Sequence, residues 1–549
     1  MTPFELTASG TFDRDDVVVR KGQFTLVNEN LTPGQATIED LLAIADALER
    51  HGIEFLLVRG DRNPHFLAVD VKRRADVARA LAEAFVNEPF YSKAQYSKAQ
   101  RHRGARATTS DVPGRRAKPV REAALFVADG KLSASGKARI LSLFRPRIDP
   151  TGRLRYGAAH GVRLEFWKFG VDEIVAPAAN SIMRSVLPRQ EAVAATVDLY
   201  GREWATLDGM FEALASDITF DIDIVFSWVD GSSEDFQRER AQRMQTYVIG
   251  EGDDSEARYR QLDELKYALR SVYLFAPWIR HIFIVTDSPV PSWLDEHSQV
   301  TIVRSEDFFV DAANLPTHNS HAIESQLQHI PGLSEHFLYS NDDMFFARPV
   351  RPEIFFSPGG VTKFIEAATR IGLGENTPER SGFENAARVN RNLLRGRFGR
   401  VTTRHLEHAP TPLRKSVLFE MEREFPEDFA RTAASPFRSS TDISVTNSLY
   451  HYYALMTGRA VVQVNARVKY VETTLTSSLR QMSSLLRSRS EDFFCLNDGS
   501  APEISVTTRT SAVLDFLNRY YPIPAPWEKR DGFVETEEPA TPESESASS

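Results

Sequence analysis

Strands alternating with helices from Asp221 onward predict an α/β protein built on a mainly parallel sheet covered by helices. Two further observations support that class. Three of the predicted strands run into acidic residues at one common edge, where parallel sheets bind their ligands. The chain's 549 residues suggest about three or four domain-sized units, and its 42% apolar residues supply at least one large core.

Residues 1–215 read as an accessory α/β region. Thr37 to Arg50 has helical spacing (Ile38, Leu41, Leu42, Ala45, Leu48) and stops at Gly52. Phe55 to Val58 and Phe66 to Val71 read as strands, with a helix following through Ala84. The stretch 91–121 is a basic loop. It repeats Tyr-Ser-Lys-Ala-Gln and then scatters Arg101, Arg103, Arg106, Arg115, Arg116 and Lys118. It reads as exposed, solvated charge, with contact to an anionic polymer as the sharper alternative.

In the second region, 216–530, strands are expected at Asp221 to Val229, His281 to Thr286, Val300 to Val303 and His336 to Ser340. Helices are expected at Asp263 to Ala276 and Ser320 to His329. Past Phe356, about 357–490, the pattern becomes mostly helical. Its best helices are Pro412 to Phe425 and Asp442 to Thr457, the second with Ser439, Ser440 and Thr441 as cap candidates and Gly458 after it. Residues 531–549, rich in Glu, Ser, Pro and Thr, read as a disordered acidic tail.

Composition excludes several functions. A net charge of −9 argues against sequence-independent nucleic-acid binding. A single cysteine, Cys495, excludes an intramolecular disulfide, a thiolate-rich zinc site and a CxxC redox centre. The first twenty residues lack a secretory pattern and no 18 apolar residues run together, so a cytoplasmic protein is expected.

The chemistry is expected at the strand ends. Asp230 and Gly231 follow the first strand, where an ordinary Asp-Gly turn is the plain reading. Asp287 follows the second and reads as a turn or cap. The adjacent Asp342 and Asp343 are harder to dismiss, because paired oxygen ligands suit Mg²⁺ or Mn²⁺ bridging a diphosphate. Glu324 falls in the first turn of a helix, where the helix dipole alone accounts for a carboxylate. His405 and His408 offer proton acceptors, and Arg438 a fork for phosphate oxygens. Each has an ordinary surface role unless it faces the aspartate pair.

The string Asp221-Ile222-Asp223-Ile224-Val225-Phe226-Ser227-Trp228-Val229-Asp230-Gly231 resembles the opening signature of the Stealth proteins, sugar-phosphate transferases of capsule and exopolysaccharide synthesis. Three more blocks are similar in order: Arg258-Tyr259-Arg260 through Ser271 to Asn341-Asp342-Asp343, His408-Ala409-Pro410 through Phe437-Arg438-Ser439, and Cys495-Leu496-Asn497-Asp498. The resemblance implies a GT-A-like, Rossmann-type fold. It also implies Glu324, Asp343, His408 and Arg438 as active-site residues, with Asp342 beside them and Asp230, Gly231 and Arg438 toward the donor. Some relatives carry a second histidine where this chain has Thr411.

The reaction so implied moves a hexose-1-phosphate from a UDP-sugar to a glycan hydroxyl and releases UMP. A divalent cation, Mg²⁺ or Mn²⁺, is the expected cofactor. A UDP-sugar and a glycan acceptor are the expected partners, with peripheral association with membrane polysaccharide machinery as a further expectation. A glycosyltransferase releasing UDP and a silent sugar-nucleotide scaffold are the alternatives.

Overall fold

The computed structural model describes residues 12, 14–60, 65–95, 123–231, 238, 262–499 and 502–529. The basic loop beyond residue 95, the Arg258–Arg260 block and the acidic tail lie outside the described residues.

The accessory region opens with β1 (Val17–Arg20) and β2 (Gln23–Val27), followed by α1 (Pro33–Arg50). That helix starts four residues before the expected Thr37 because Thr32 caps it. The Gln35 amide donates to Thr32 Oγ1 at 3.3 Å, the Thr32 amide donates to Gln35 Oε1 at 2.9 Å, and Pro33 fills the first turn. Next come β3 (Phe55–Val58), β4 (Phe66–Asp70) and α2 (Arg74–Ala84), within a residue of the strands expected. The region continues through β5 (Tyr91–Ala94), β6 (Leu125–Phe126), β7 (Ile140–Phe144), β8 (Arg147–Ile148), β9 (Arg155–Tyr156) and β10 (Val162–Phe169). It ends with β11 (Glu173–Val175), β12 (Val186–Pro188), β13 (Ala194–Leu199) and β14 (Arg202–Leu207). One sheet runs β12-β11-β10-β7-β5-β6, with β4 joined parallel to β10 and β3 beside it. Ile44 and Leu48 of α1 and Val77 and Leu81 of α2 bury against its Leu67, Leu141 and Leu164.

The second region begins with β15 (Ile222–Ser227), α3 (Glu264–Phe275), β16 (Ile282–Val285), β17 (Val300–Val303), α4 (Ser320–Glu324) and β18 (His336–Asn341). There follow β19 (Met344–Phe346), β20 (Thr362–Phe364), β21 (Glu366–Arg370), α5 (Gly382–Phe398), β22 (Arg404–Leu406), β23 (Thr411–Arg414), α6 (Lys415–Glu424) and α7 (Pro426–Ala433). The last elements are α8 (Tyr450–Met456), β24 (Ala460–Val462), β25 (Val468–Glu472), α9 (Ser477–Ser488), β26 (Phe493–Asn497) and α10 (Val506–Tyr520).

The central sheet has the order β17-β16-β15-β18-β23. Its first four strands are parallel and β23 is antiparallel. This is the Rossmann-type, mainly parallel sheet expected, and it sets Asp230, Asp287 and the Asp342–Asp343 pair beyond one edge. Alternation along β15 feeds two cores, because successive side chains leave a strand on opposite faces. Ile222, Ile224 and Phe226 pack with residues of α3 and α10, while Val225 packs with Leu418 and Tyr450. Ala36, Leu154 and Tyr156 join the first core, so the accessory region is seated on the helical cover of the sheet.

Glu528, beyond α10, is locked into that cover. Arg270 of α3 is a buried guanidinium that donates Nε and Nη2 to the two Glu528 oxygens at 2.7 Å each, and Nη1 to the Tyr521 carbonyl at 2.9 Å. Removing one partner of such a pair typically costs about 3–5 kcal/mol, because a buried charge is left without compensation.

Several expectations are corrected. The stretch past Phe356 is mixed, holding β20 to β26 as well as helices. Thr411 to Arg414 is a strand rather than the start of a helix; Pro412 sits there without disruption because β23 is an edge strand, paired on one side only. The Ser320 helix stops at Glu324 and resumes only as a 3₁₀ turn at Leu327–His329. The expected Asp442 helix begins at Val445 with one π turn, Val445–Leu449, before α8. Ser439, Ser440 and Thr441 therefore cap nothing: Asp442 turns back to accept the Ser439 amide at 2.8 Å. Gly458, at φ +77°, closes α8 as expected.

Candidate active site

The turn between β18 and β19 presents Asp342 and Asp343, both half-buried. β26 pairs with β19 and holds that turn from below. The Leu496 amide donates to the Asp343 carbonyl at 3.0 Å, and the Cys495 thiol donates to Asp343 Oδ2 at 3.3 Å. Asp343 Oδ1 is buried with no hydrogen-bond partner.

Burial pushes both carboxyls above their ordinary range. At Asp342 the Asp343 and Glu264 charges add to the push. At Asp343 the nearby His408 and the Cys495 thiol oppose it, while Asp498 adds to it. Burial, reinforced by the Asp343 charge, also holds the Cys495 thiol well up, so it remains an S–H donor. The His408 charge thus acts on Asp343, and its neighbour Tyr470 is the cross-strand partner of Cys495. The His408 ring meets the Tyr470 ring of β25 edge-on at 5.2 Å between centroids.

Glu324 closes α4 and is almost fully buried. Thr446 Oγ1 donates to its Oε2 at 2.7 Å and Tyr339 Oη to its Oε1 at 3.4 Å. Tyr339 lies on β18, three residues before Asp342, so the strand that leads into the aspartate pair also supplies the hydroxyl that meets Glu324. Burial, then the Glu324 charge, drive the Tyr339 hydroxyl up, and Arg438 partly offsets them. Arg438 Nη2 donates to Ser320 Oγ, in the first turn of α4, at 2.9 Å. Asn319 ties this corner together: its Nδ2 donates to the Ser435 and Phe437 carbonyls at 3.1 and 3.2 Å and to Asp442 Oδ2 at 2.8 Å. Glu324 and Arg438 therefore form a second group around Tyr339.

Asp230 and Gly231 follow β15 at the same edge, where the Asp230 amide donates to Ser288 Oγ at 2.8 Å. Asp287 has the turn role expected of it, accepting the Ser305 amide at 2.8 Å. His405 is buried and stacked on Phe383 at 4.4 Å, and burial holds its pKa below the usual value. Sequence reasoning did not single out Thr446, Tyr339 or Tyr470. Nothing in their spacing marks them, because a π turn and pairing across β18, β25 and β26 deliver them. Cys495 did carry a signal, as the head of the last of the four matched blocks.

Among the described residues no group of three or more His, Cys, Asp and Glu side chains is placed to hold a metal ion. The adjacent carboxylates nevertheless fit a hard cation of the kind that takes one or two carboxylates and completes its shell with phosphate and water. The unpartnered Asp343 Oδ1 and the crowding of two acids are what such an ion relieves. Also among the described residues, no helix is long and apolar enough to cross a membrane.

Four stretches match Stealth conserved regions: region 1 at 220–248, region 2 at 258–364, region 3 at 407–455 and region 4 at 483–539. The exopolysaccharide phosphotransferase CpsY of Mycobacterium tuberculosis (strain ATCC 25618 / H37Rv) is 59% identical over 513 residues, 93% of this chain and 92% of its own. An exopolysaccharide phosphotransferase of Nocardia farcinica is 54% identical over 523 residues, covering 95% of this chain and 93% of its own. The solved galactosyltransferase LgtC, in complex with donor and acceptor sugar analogs, matches 55% of this chain and 96% of its own at 13% identity and a TM-score of 0.28.

Proposed function

Because the chain belongs to the Stealth family, we propose that it is an exopolysaccharide phosphotransferase that moves a hexose-1-phosphate from a UDP-sugar to a glycan hydroxyl. Residues 216–530 form the catalytic region in this reading. The acceptor oxygen attacks the β-phosphorus, the bond from that phosphorus to the UMP oxygen breaks, and a phosphodiester and UMP result. The acceptor proton goes to His408.

The observation that supports this reading most is that the His408 ring meets Tyr470, the β25 partner of Cys495, whose thiol in turn donates to Asp343. Asp342 and Asp343 would hold Mg²⁺ or Mn²⁺, which supplies charge neutralisation to the diphosphate. Arg438, held by Ser320, binds phosphate oxygens through its guanidinium fork. Glu324 is fixed by two hydroxyls at the end of the helix whose Ser320 accepts from Arg438. Asp230 and Gly231 bind on the donor side.

Purified protein incubated with a panel of UDP-sugars, Mg²⁺ or Mn²⁺ and short glycans tests this, with the released nucleotide identified by chromatography. Acceptor-dependent UMP, with phosphorus retained in the product, is expected; UDP would mean attack at the sugar carbon and overturn the phosphoryl step. His408→Ala should lower turnover by about 10²–10⁴-fold while donor binding is kept.

A further inference from the structure

The surface running away from Arg438 is strongly cationic. Residues 370–404 contain eight arginines, no lysine and three glutamates, a net charge of +5 inside a chain of net −9. Arg391 and Arg395 fall on one face of α5 by their spacing of four residues, while Arg388 one turn earlier is buried and donates to the Glu384 carbonyl. The helix begins at Gly382, packed directly against the Arg438 side chain. Further along, Arg391 donates to the Gly372 and Gly374 carbonyls at 3.1 and 3.4 Å, joining α5 to the segment that follows β21. On that hairpin Arg370 and Arg404 are cross-strand partners.

Part of this charge is spent internally: Glu384 sits 3.7 Å from Arg388 and 3.9 Å from Arg380. Arg370, Arg395 and Arg400 are exposed, and their guanidinium groups form no ion pair or side-chain hydrogen bond among the described residues. An acidic protein that keeps unneutralised guanidinium groups in one track has a surface complementary to phosphate, which arginine meets with a planar fork. The reaction itself produces such a partner. Each transfer leaves one phosphodiester anion on the product, so a product that returns as acceptor is a polyanion.

We propose that the track over α5 and the β21–β22 hairpin binds the phosphodiester-linked glycan and holds the growing chain as acceptor, an inference that rests on the phosphosugar-transfer reading above. Repeated addition then becomes more efficient as the chain lengthens.

The test compares two labelled trisaccharides, one joined by phosphodiesters and one by ordinary glycosidic bonds, by fluorescence polarisation with the full chain and no donor. The phosphodiester probe should bind at least about tenfold more tightly, and more weakly as salt rises, since exposed charges are screened. The triple variant R370Q/R395Q/R400Q should lose that preference yet still release UMP with the phosphate-free acceptor at the wild-type rate. Equal binding of both probes, or an unaffected triple variant, overturns the proposal. So does binding of single-stranded RNA or phosphatidylglycerol vesicles with the same dependence on these arginines. If the wild type releases no UMP, the transferase reading fails, and the binding comparison still decides the track.

Discussion

The Cys495 thiol donates to Asp343 Oδ2 across 3.3 Å, joining the chain's only cysteine to one oxygen of the acidic pair and leaving the other oxygen without a partner. The contact spans 152 residues of sequence and is made on β26, whose pairing with β19 sets the register. It fixes which oxygen of Asp343 is available.

Cys495→Ala should therefore lower turnover and destabilise the fold by about 1–3 kcal/mol, the range for leaving a buried acceptor without its donor. Cys495→Ser keeps a donor at the same place and should recover most of the activity. Urea unfolding and UMP release on both variants check this; equal activity of the two would mean the thiol hydrogen is irrelevant.

Thr446 has the same relation to Glu324, and it is delivered by the π turn Val445–Leu449. Thr446→Val is nearly isosteric but removes the 2.7 Å donor, so a loss of about 1–3 kcal/mol and a lower kcat are expected. Thr446→Ser should restore both. A valine variant with wild-type kcat would remove this hydroxyl from the site.

A methyl group at Gly382 would lie 2.9 Å from both Cβ and Cδ of Arg438. Gly382→Ala should push Arg438 off the Ser320 hydroxyl and lower kcat/KM for the UDP-sugar by about tenfold, mainly through KM, because small misplacements of a positioning group are expensive. Steady-state kinetics with the donor varied measures it. No change in KM would show that Arg438 moves freely.

Stability should fall on acidification already between pH 6.5 and 4, through two buried histidines. Burial holds His336 and His451 down to about 4 each, while an unfolded histidine titrates near 6.5. Protons then bind the unfolded chain first. Stability is fully present above pH ~7 and is lost as pH falls from about 6.5 toward 4, by about 2 kcal/mol per histidine at pH 5. Urea midpoints at pH 7.5, 6 and 5 test the sign. His336→Phe, which keeps an aromatic ring between Phe220 and Phe356, should flatten roughly half of the slope.

Strands Phe55–Val58 and Val300–Val303 were legible in the sequence because apolar runs bounded by turn residues leave little choice. The aspartate pair was legible for the same reason, since a strand period followed by two acids marks a sheet edge. The β23 strand was not: Thr411 to Arg414 continues the helical spacing of α6, and only pairing with β18 decides it. Ser439 to Thr441 misled because their hydroxyls suit a cap, whereas the bond that forms there is Asp442 to the Ser439 amide. Thr446 and Tyr470 reach the site through tertiary pairing, which spacing along one chain does not encode. The four-block resemblance named Glu324 and Arg438; the short helix Ser320–Glu324 links them physically, with Ser320 accepting from Arg438 at one end and Glu324 closing the other.

The Arg270–Glu528 pair also constrains the order in which the protein comes off the ribosome. A cation committed to the interior at residue 270 waits 258 residues for its anion. Until then the nascent helix around it has a charge it can neither solvate nor neutralise in the native arrangement, so the sheet assembled from the first half stays provisional. Completing that core therefore waits for Glu528, and stop codons that spare every candidate site residue but remove Glu528 should yield material captured by chaperones or proteases rather than a shortened protein.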